Sequence, residues 1–154
     1  MPLSKEQKQQ LSKIRQLIKD RDFATVTQGF EILTALNDPE LWELFTEGLC
    51  VSPDGVIELD KGELKKRVSK HHRARAALHI ARHAGLLDEL TTLDLSERLT
   101  MMAQSNPAED LHLLHDLDSL TTLKLYFYPW KQVDSDLVEA LKGISALHTL
   151  QLVK

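Results

Sequence analysis

Three clusters of residues in this 154-residue chain have the types and spacing to do chemistry. His79 and His83 stand four apart, which puts two imidazoles on one face of a helix. Such a pair binds zinc when acidic or thiol ligands join it. Ile80-Ala81-Arg82 between them lacks the glutamate of an H-E-x-x-H site, and His71-His72 adds imidazoles without a liganding pattern. Two partly exposed histidines on a docked helix account for the pair, so no metal and no other cofactor is expected. The second cluster is basic: Lys61, Lys65, Lys66, Arg67, Lys70, Arg73, Arg75 and Arg82 face a single carboxylate, Glu63, within residues 61–84. A basic helix there would grip phosphates or an acidic surface. It carries no base-stacking aromatics and no helix-turn-helix or zinc-finger signature. The plainer reading is a solvated face.

The third cluster is Tyr126-Phe127-Tyr128-Pro129-Trp130, which holds four of the chain's eight aromatic residues. Strand alternation would bury Leu125 and Phe127 and expose Tyr126 and Tyr128. Exposed Tyr and Trp anchor protein interfaces because they bury much area at low entropic cost. The same aromatics would equally well fill the core of an irregular loop, and both readings stand. Catalysis has no constellation to carry it: no nucleophile elbow, paired-carboxylate spacing or phosphate loop is present. Cys50, between Leu49 and Val51, reads as an inert buried thiol. A binding protein rather than an enzyme is expected.

Composition sets the outer bounds. A single cysteine allows no intrachain disulfide and suits a reducing, cytoplasmic compartment. Residues 1–10 are polar and lysine-rich with no apolar run behind them, which does not read as a signal peptide. No window approaches the roughly 20 apolar residues that cross a bilayer. The net charge of −4 is unevenly spread: residues 1–85 hold 14 Lys/Arg against 12 Asp/Glu, and residues 86–154 hold 5 against 11. The acidic second half makes nucleic acid an unfavoured partner there.

The elements that must position these clusters are legible from period and caps. Ser4 and Gln7 form a capping box ahead of Leu11, Ile14, Leu17 and Ile18, which predicts a helix over 5–19. Asp22 caps a second helix, with Phe23, Val26, Phe30 and Leu33 on one stripe; Gly29 inside it suggests a close helix crossing. Asp38-Pro39 opens a third helix. Val56–Leu59 reads as a short strand or a loop. Residues 63–84 read as helix, with a break allowed near Ser69 and Gly85 at C′. Two helices follow in the second half, one capped by Asn106 with Leu111, Leu114 and Leu117 on its buried face, the other capped by Asp134 or Ser135 with Leu137, Val138, Leu141 and Ile144 as its apolar positions.

Between those helices one spacing recurs. Leu90-Thr91-Thr92-Leu93-Asp94-Leu95, Leu120-Thr121-Thr122-Leu123-Lys124-Leu125 and Leu147-His148-Thr149-Leu150-Gln151-Leu152 share L-x-x-L-x-L at offsets of 30 and 27 residues. These periods fall in or just above the range of leucine-rich repeats. Strands over 92–96, 122–126 and 149–153, joined by right-handed crossovers, would form a parallel sheet.

Residues 86–154 thereby resemble the leucine-rich repeat family, and with a helical part in front the chain is similar to bacterial leucine-rich repeat proteins of unassigned role. The resemblance implies an α/β fold: a helical array over 1–85 acting as a cap, then a short solenoid over 86–154 with a parallel sheet of three or four strands. It implies that the motif leucines point into the core, while Thr92, Thr122 and Thr149, then Asp94, Lys124 and Gln151, then Ser96, Tyr126 and Val153 form outward columns. The family's turn-closing Asn or Cys is replaced here by Leu99 and Pro129. The functional reading is a protein–protein interaction module that binds through Thr92, Asp94, Thr122, Lys124, Tyr126, Tyr128, Trp130 and Gln151, on the concave sheet and the aromatic loop 126–130. The alternative is a nucleic-acid or phosphate-binding adaptor built on the basic helix 61–84. The last strand, 149–153, reads as an open edge that would pair with a second copy in a homodimer, receive another chain, or be covered by an N-terminal helix, with the homodimer favoured.

Overall fold

Ser4 starts the fold with a complete capping box. Its hydroxyl accepts from the Gln7 N–H at 3.1 Å, and the Gln7 amide oxygen accepts from the Ser4 N–H at 2.7 Å. The computed structural model describes residues 2–70, 72–94, 111–126 and 135–153. Among these, Ser4 caps α1 (Lys5–Ile18), and Asp22 caps α2 (Phe23–Leu36), which ends at Asn37 in the left-handed conformation. The two helices pack together, α1 burying Leu11, Ile14 and Ile18 and α2 burying Phe23, Val26, Phe30 and Leu33. Gly29 permits the approach: a Cβ there would lie 2.7 Å from Ile18 Cγ2 and 3.3 Å from Leu17 Cβ. Asp38 caps α3 (Pro39–Thr46) and also accepts from the Gln7 amide at 2.9 Å, which ties the start of α3 to the first turn of α1.

β1 (Leu49–Val51) and β2 (Ile57–Leu59) form a two-stranded sheet. The Ser52 N–H donates to the Val56 carbonyl and the Asp60 N–H to the Gly48 carbonyl, which makes the hairpin antiparallel. Residues 61–84, expected as one helix with a possible break, are two: α4 (Gly62–Arg67) and α5 (Arg73–His83). The separation falls where Val68 turns to extended backbone and buries its side chain, and the Ser69 carbonyl then accepts from the His72 N–H.

The remaining strands are β3 (Thr92–Asp94), β4 (Thr122–Tyr126) and β5 (Thr149–Val153), parallel and in the order β3-β4-β5. Their register aligns Thr92, Thr122 and Thr149, then Leu93, Leu123 and Leu150, then Asp94, Lys124 and Gln151. The hairpin turn meets β3 at one point, where the Asp94 N–H donates to the Gly55 carbonyl at 2.9 Å and Val56 bridges Asp94 in parallel. It adds a bridge and no fourth ladder strand. Gly55, at φ +85°, is required there, since any Cβ would collide with the Thr92 carbonyl. The fold is therefore mixed α/β. It divides into two compact units, residues 1–49 with 59–84, and residues 50–58 with 85–154.

In the second unit, Leu111, Leu114, Leu117 and Leu120 are buried as expected, but the described turn is 3₁₀, over His112–Leu114. Leu111, just before this turn, is α-helical. The expected cap at Asn106 lies outside the described residues. In α6 (Ser135–Lys142), Val138 is not the buried position expected: it is 38% exposed, while Ala140 and, past the helix end, Ile144 are buried. The His115 ring occupies the space beside Gly143 and its Nε2 bonds the Ala140 carbonyl at 2.9 Å, which clasps the end of α6 to the 3₁₀ turn.

The motif leucines are not equivalent. Leu93 and Leu123 are fully buried, whereas Leu150, in the same register, is 39% exposed because β5 has a neighbouring strand on one side only among the described residues. Truncating Leu123 to Ala should cost roughly 2–5 kcal/mol, the range for a buried leucine. Leu150→Ala should cost less than about 1.5 kcal/mol, since part of its surface is already in water. Urea unfolding midpoints of the two variants check the difference, and equal losses would contradict the depth ordering.

Candidate functional site

The sheet repeats one piece of backbone geometry. The Thr91 carbonyl accepts from the N–H groups of Thr121 and Thr122 at 2.9 and 3.0 Å. The Thr121 carbonyl accepts in the same way from His148 and Thr149 at 2.8 and 3.0 Å. The Thr121 hydroxyl also donates to the Thr91 carbonyl at 3.2 Å. These forks fix where each strand begins, and the columns follow. Thr92, Asp94, Thr122 and Lys124 are partly exposed, and Thr149 and Gln151 are exposed. Six of the positions singled out by sequence (Thr92, Asp94, Thr122, Lys124, Tyr126 and Gln151) thus lie on strands of one sheet, with Tyr126 closing β4 opposite Val153. Tyr128 and Trp130 lie outside the described residues. Neighbouring strands run about 4.8 Å apart. The face therefore offers hydroxyl, carboxylate, ammonium and amide groups at close, regular spacing. That arrangement can hydrogen-bond and ion-pair with a surface laid on it.

The basic segment is spent differently. Arg75, 9% exposed, stacks on the Phe23 ring, its guanidinium carbon 3.8 Å from the ring centre. Arg67 and Arg15 both pair with Glu63, the latter through Nε at 3.0 Å and through Nη2. The segment is split after Arg67 into two helices. Lys65, Lys66 and Lys70 remain exposed.

His72 and His79 pack against aromatic rings. His79 lies edge-on to Phe23 at 5.2 Å and tilted against Phe30 at 6.0 Å, while His72 lies 5.3 Å from Phe23 and bonds the Arg21 carbonyl at 2.6 Å. Burial, with smaller contributions from the positive charges of His79 and Arg82, holds His83 below the ordinary histidine value. Among the described residues no group of three or more His, Cys, Asp or Glu side chains is placed to hold a metal ion. Cys50, expected buried, is exposed, because the middle residue of the short β1 faces opposite to buried Leu49. One feature escaped the sequence, the His115–Ala140 clasp, whose only sequence trace is Gly143; the exposure of Leu150 agrees with the open edge expected at the last strand.

No family model, no curated protein and no solved structure matches this chain. Among the described residues no helix is long and apolar enough to cross a membrane.

Glu63 offers a direct check on the charges of the first unit. Burial raises its carboxyl, but hydrogen bonds and charges from Arg15 and Arg67 outweigh this and hold it below the ordinary glutamate value of 4.5. A depressed folded-state value stabilises the fold at pH above the unfolded value, and that stabilisation is lost as pH falls through the folded one. Glu63→Gln should therefore lower the melting temperature at pH 7, with the gap to wild type closing as pH drops below about 4.5. A gap that stays constant from pH 7 to pH 3 would contradict this account.

Proposed function

We propose that the chain is a protein-interaction module with a leucine-rich-repeat-like second half, and that the outward face of its parallel sheet is the binding surface. What carries this reading is the in-register pair of columns, Thr92-Thr122-Thr149 and Asp94-Lys124-Gln151, all six residues at least partly exposed. A sheet face of short polar side chains and alternating charge is shaped to contact another protein broadly, with the central strand β4 as its middle. The aromatic segment 126–130 continues from β4 and belongs to the proposal as the anchor of that surface. The competing phosphate-binding reading has less support, since Arg67 and Arg75 are engaged within their own unit. A reducing, cytoplasmic setting is part of the same reading.

Thr122→Arg places a long charged side chain at the centre of the face without touching the core. Immobilised wild-type chain should retain a protein from cell extract, and the Thr122→Arg chain should bind that protein about tenfold or more weakly. Glu31→Lys, an exposed change on α2, should bind as wild type does. Retention should change little with ionic strength, in contrast to phosphate contacts, which weaken steeply with salt. Equal binding by the Thr122→Arg and wild-type chains would remove the sheet face from consideration.

A further inference from the structure

Among the described residues β5 has one edge with no neighbouring strand, and its composition is unusual for such an edge. Edge strands are ordinarily guarded by charge, proline or a bulge, because unpaired N–H and C=O groups invite another strand. β5 reads Thr149-Leu150-Gln151-Leu152-Val153 and contains none of the guarding residues. β3 carries Asp94 and β4 carries Lys124 at the register position where β5 carries Gln151. Among the described residues, no strand pairs with β5 on the side away from β4. The exposed Leu150 lies on this same strand, on the face shared with buried Leu93 and Leu123.

The backbone fixes which groups the edge offers. The Thr149 N–H points to β4, where it meets the Thr121 carbonyl. Since successive residues of a strand direct their polar groups to opposite sides, residues 149, 151 and 153 bond inward and residues 150 and 152 present N–H and C=O outward. The strand is also nearly its own mirror: a leucine stands on each side of Gln151, and Thr149 and Val153, both β-branched, stand beyond them.

From this register and sequence symmetry we infer that β5 pairs antiparallel with β5 of a second copy of this chain, about a two-fold axis through Gln151. Residue 150 then stands opposite residue 152 of the second copy. Both are outward-bonding positions, so each of these pairs exchanges both N–H···O bonds. Gln151 meets Gln151 across the axis as a non-hydrogen-bonded pair, with Cα atoms about 4.5 Å apart. No like charges face each other. The exposed Leu150 gains a leucine position beside it, and the two three-stranded sheets become one of six strands. The outward columns then continue across the axis, which doubles the length of the polar face. The inference stands on the edge itself and does not need the function proposed for that face.

Sedimentation equilibrium over a range of concentrations is the first test. The wild-type chain should show a reversible monomer–dimer equilibrium in the micromolar range, as suits a small interface. Gln151→Lys and Gln151→Glu should each weaken the dimer about tenfold or more by facing like charges across the axis. Mixing the two variants should restore it as a heterodimer. The second test reads the register. In a Cys50→Ser background, Gln151→Cys should cross-link to itself on mild oxidation, because its Cα spacing suits a disulfide. Thr149→Cys, opposite residue 153, should not. A wild-type chain that stays monomeric up to several hundred micromolar would overturn the inference. So would dimers unchanged in both charged variants, or cross-linking at 149 that equals or exceeds that at 151.

Discussion

The second unit depends on the forked hydrogen bonds at the Thr91 and Thr121 carbonyls. A parallel strand cannot be set by a tight turn, because its partner arrives after a long crossover. Here the crossovers span 30 and 27 residues between equivalent positions, yet both strands begin at the same place relative to their neighbour. A slip of one residue would exchange the leucine column for the threonine column and turn the core face outward. Each fork gathers two N–H donors onto one carbonyl at the strand's first residues, so register is fixed at the entrance and the leucines follow into the interior. The Thr-Thr pairs that supply Thr91 and Thr121 are shared by the first two motifs; in the third, His148 replaces the first threonine and its backbone N–H does the same work.

The first unit solves a different problem with local means. Every one of its first three helices begins at a side chain that accepts a backbone N–H: Ser4, Asp22 and Asp38. Such caps are each worth about 1 kcal/mol and define where a helix can start. Its charges are arranged inward as well as outward. Glu63 gathers Arg15 from α1 and Arg67 from its own helix, and Arg75 gives its positive charge to the Phe23 ring. The basic composition of residues 61–84 is therefore partly a packing device, and counting charges along the sequence overstates what that segment presents to a partner.

What could be read in the sequence is what physics makes local. The capping box at Ser4, the caps at Asp22 and Asp38, the tight crossing at Gly29 and the three strand positions all depend on neighbours within a few residues or on a repeated spacing, and each is visible there. The strand register needed only the assumption that like motifs align. The misjudged points depend on what stands next to a residue in space. Val138 shares its helix with buried Ala140 yet is exposed, whereas the exposure of Leu150 follows from the open edge expected at the last strand. Cys50 sits between two apolar residues but on the opposite face of a three-residue strand, where flanking hydrophobicity says nothing about burial. The helix break allowed near Ser69 is present; that it opens at Val68, drawn into the core with extended backbone, is a tertiary preference with no breaker residue to announce it. Of the proposed binding face, the columns were legible and their degree of exposure was not.

Leu93, Leu123 and Leu150 also measure what a neighbour contributes. They share residue type, strand register and face, and differ in what flanks them: β4 beside β3, strands on both sides of β4, and β4 alone beside β5. β3 lacks a second ladder strand too, yet Leu93 is fully buried, because the hairpin turn closes on β3 through Gly55 and Val56. A single backbone contact and a bridge suffice to cover that side. The far side of β5 has no equivalent among the described residues, and its leucine alone remains open to water. A strand of this sheet cannot bury its apolar face by itself, and the elements that flank it decide the outcome. Burial in the second unit is thus a property of the stack and not of the motif, which is why three near-identical stretches of sequence give two sealed positions and one exposed one.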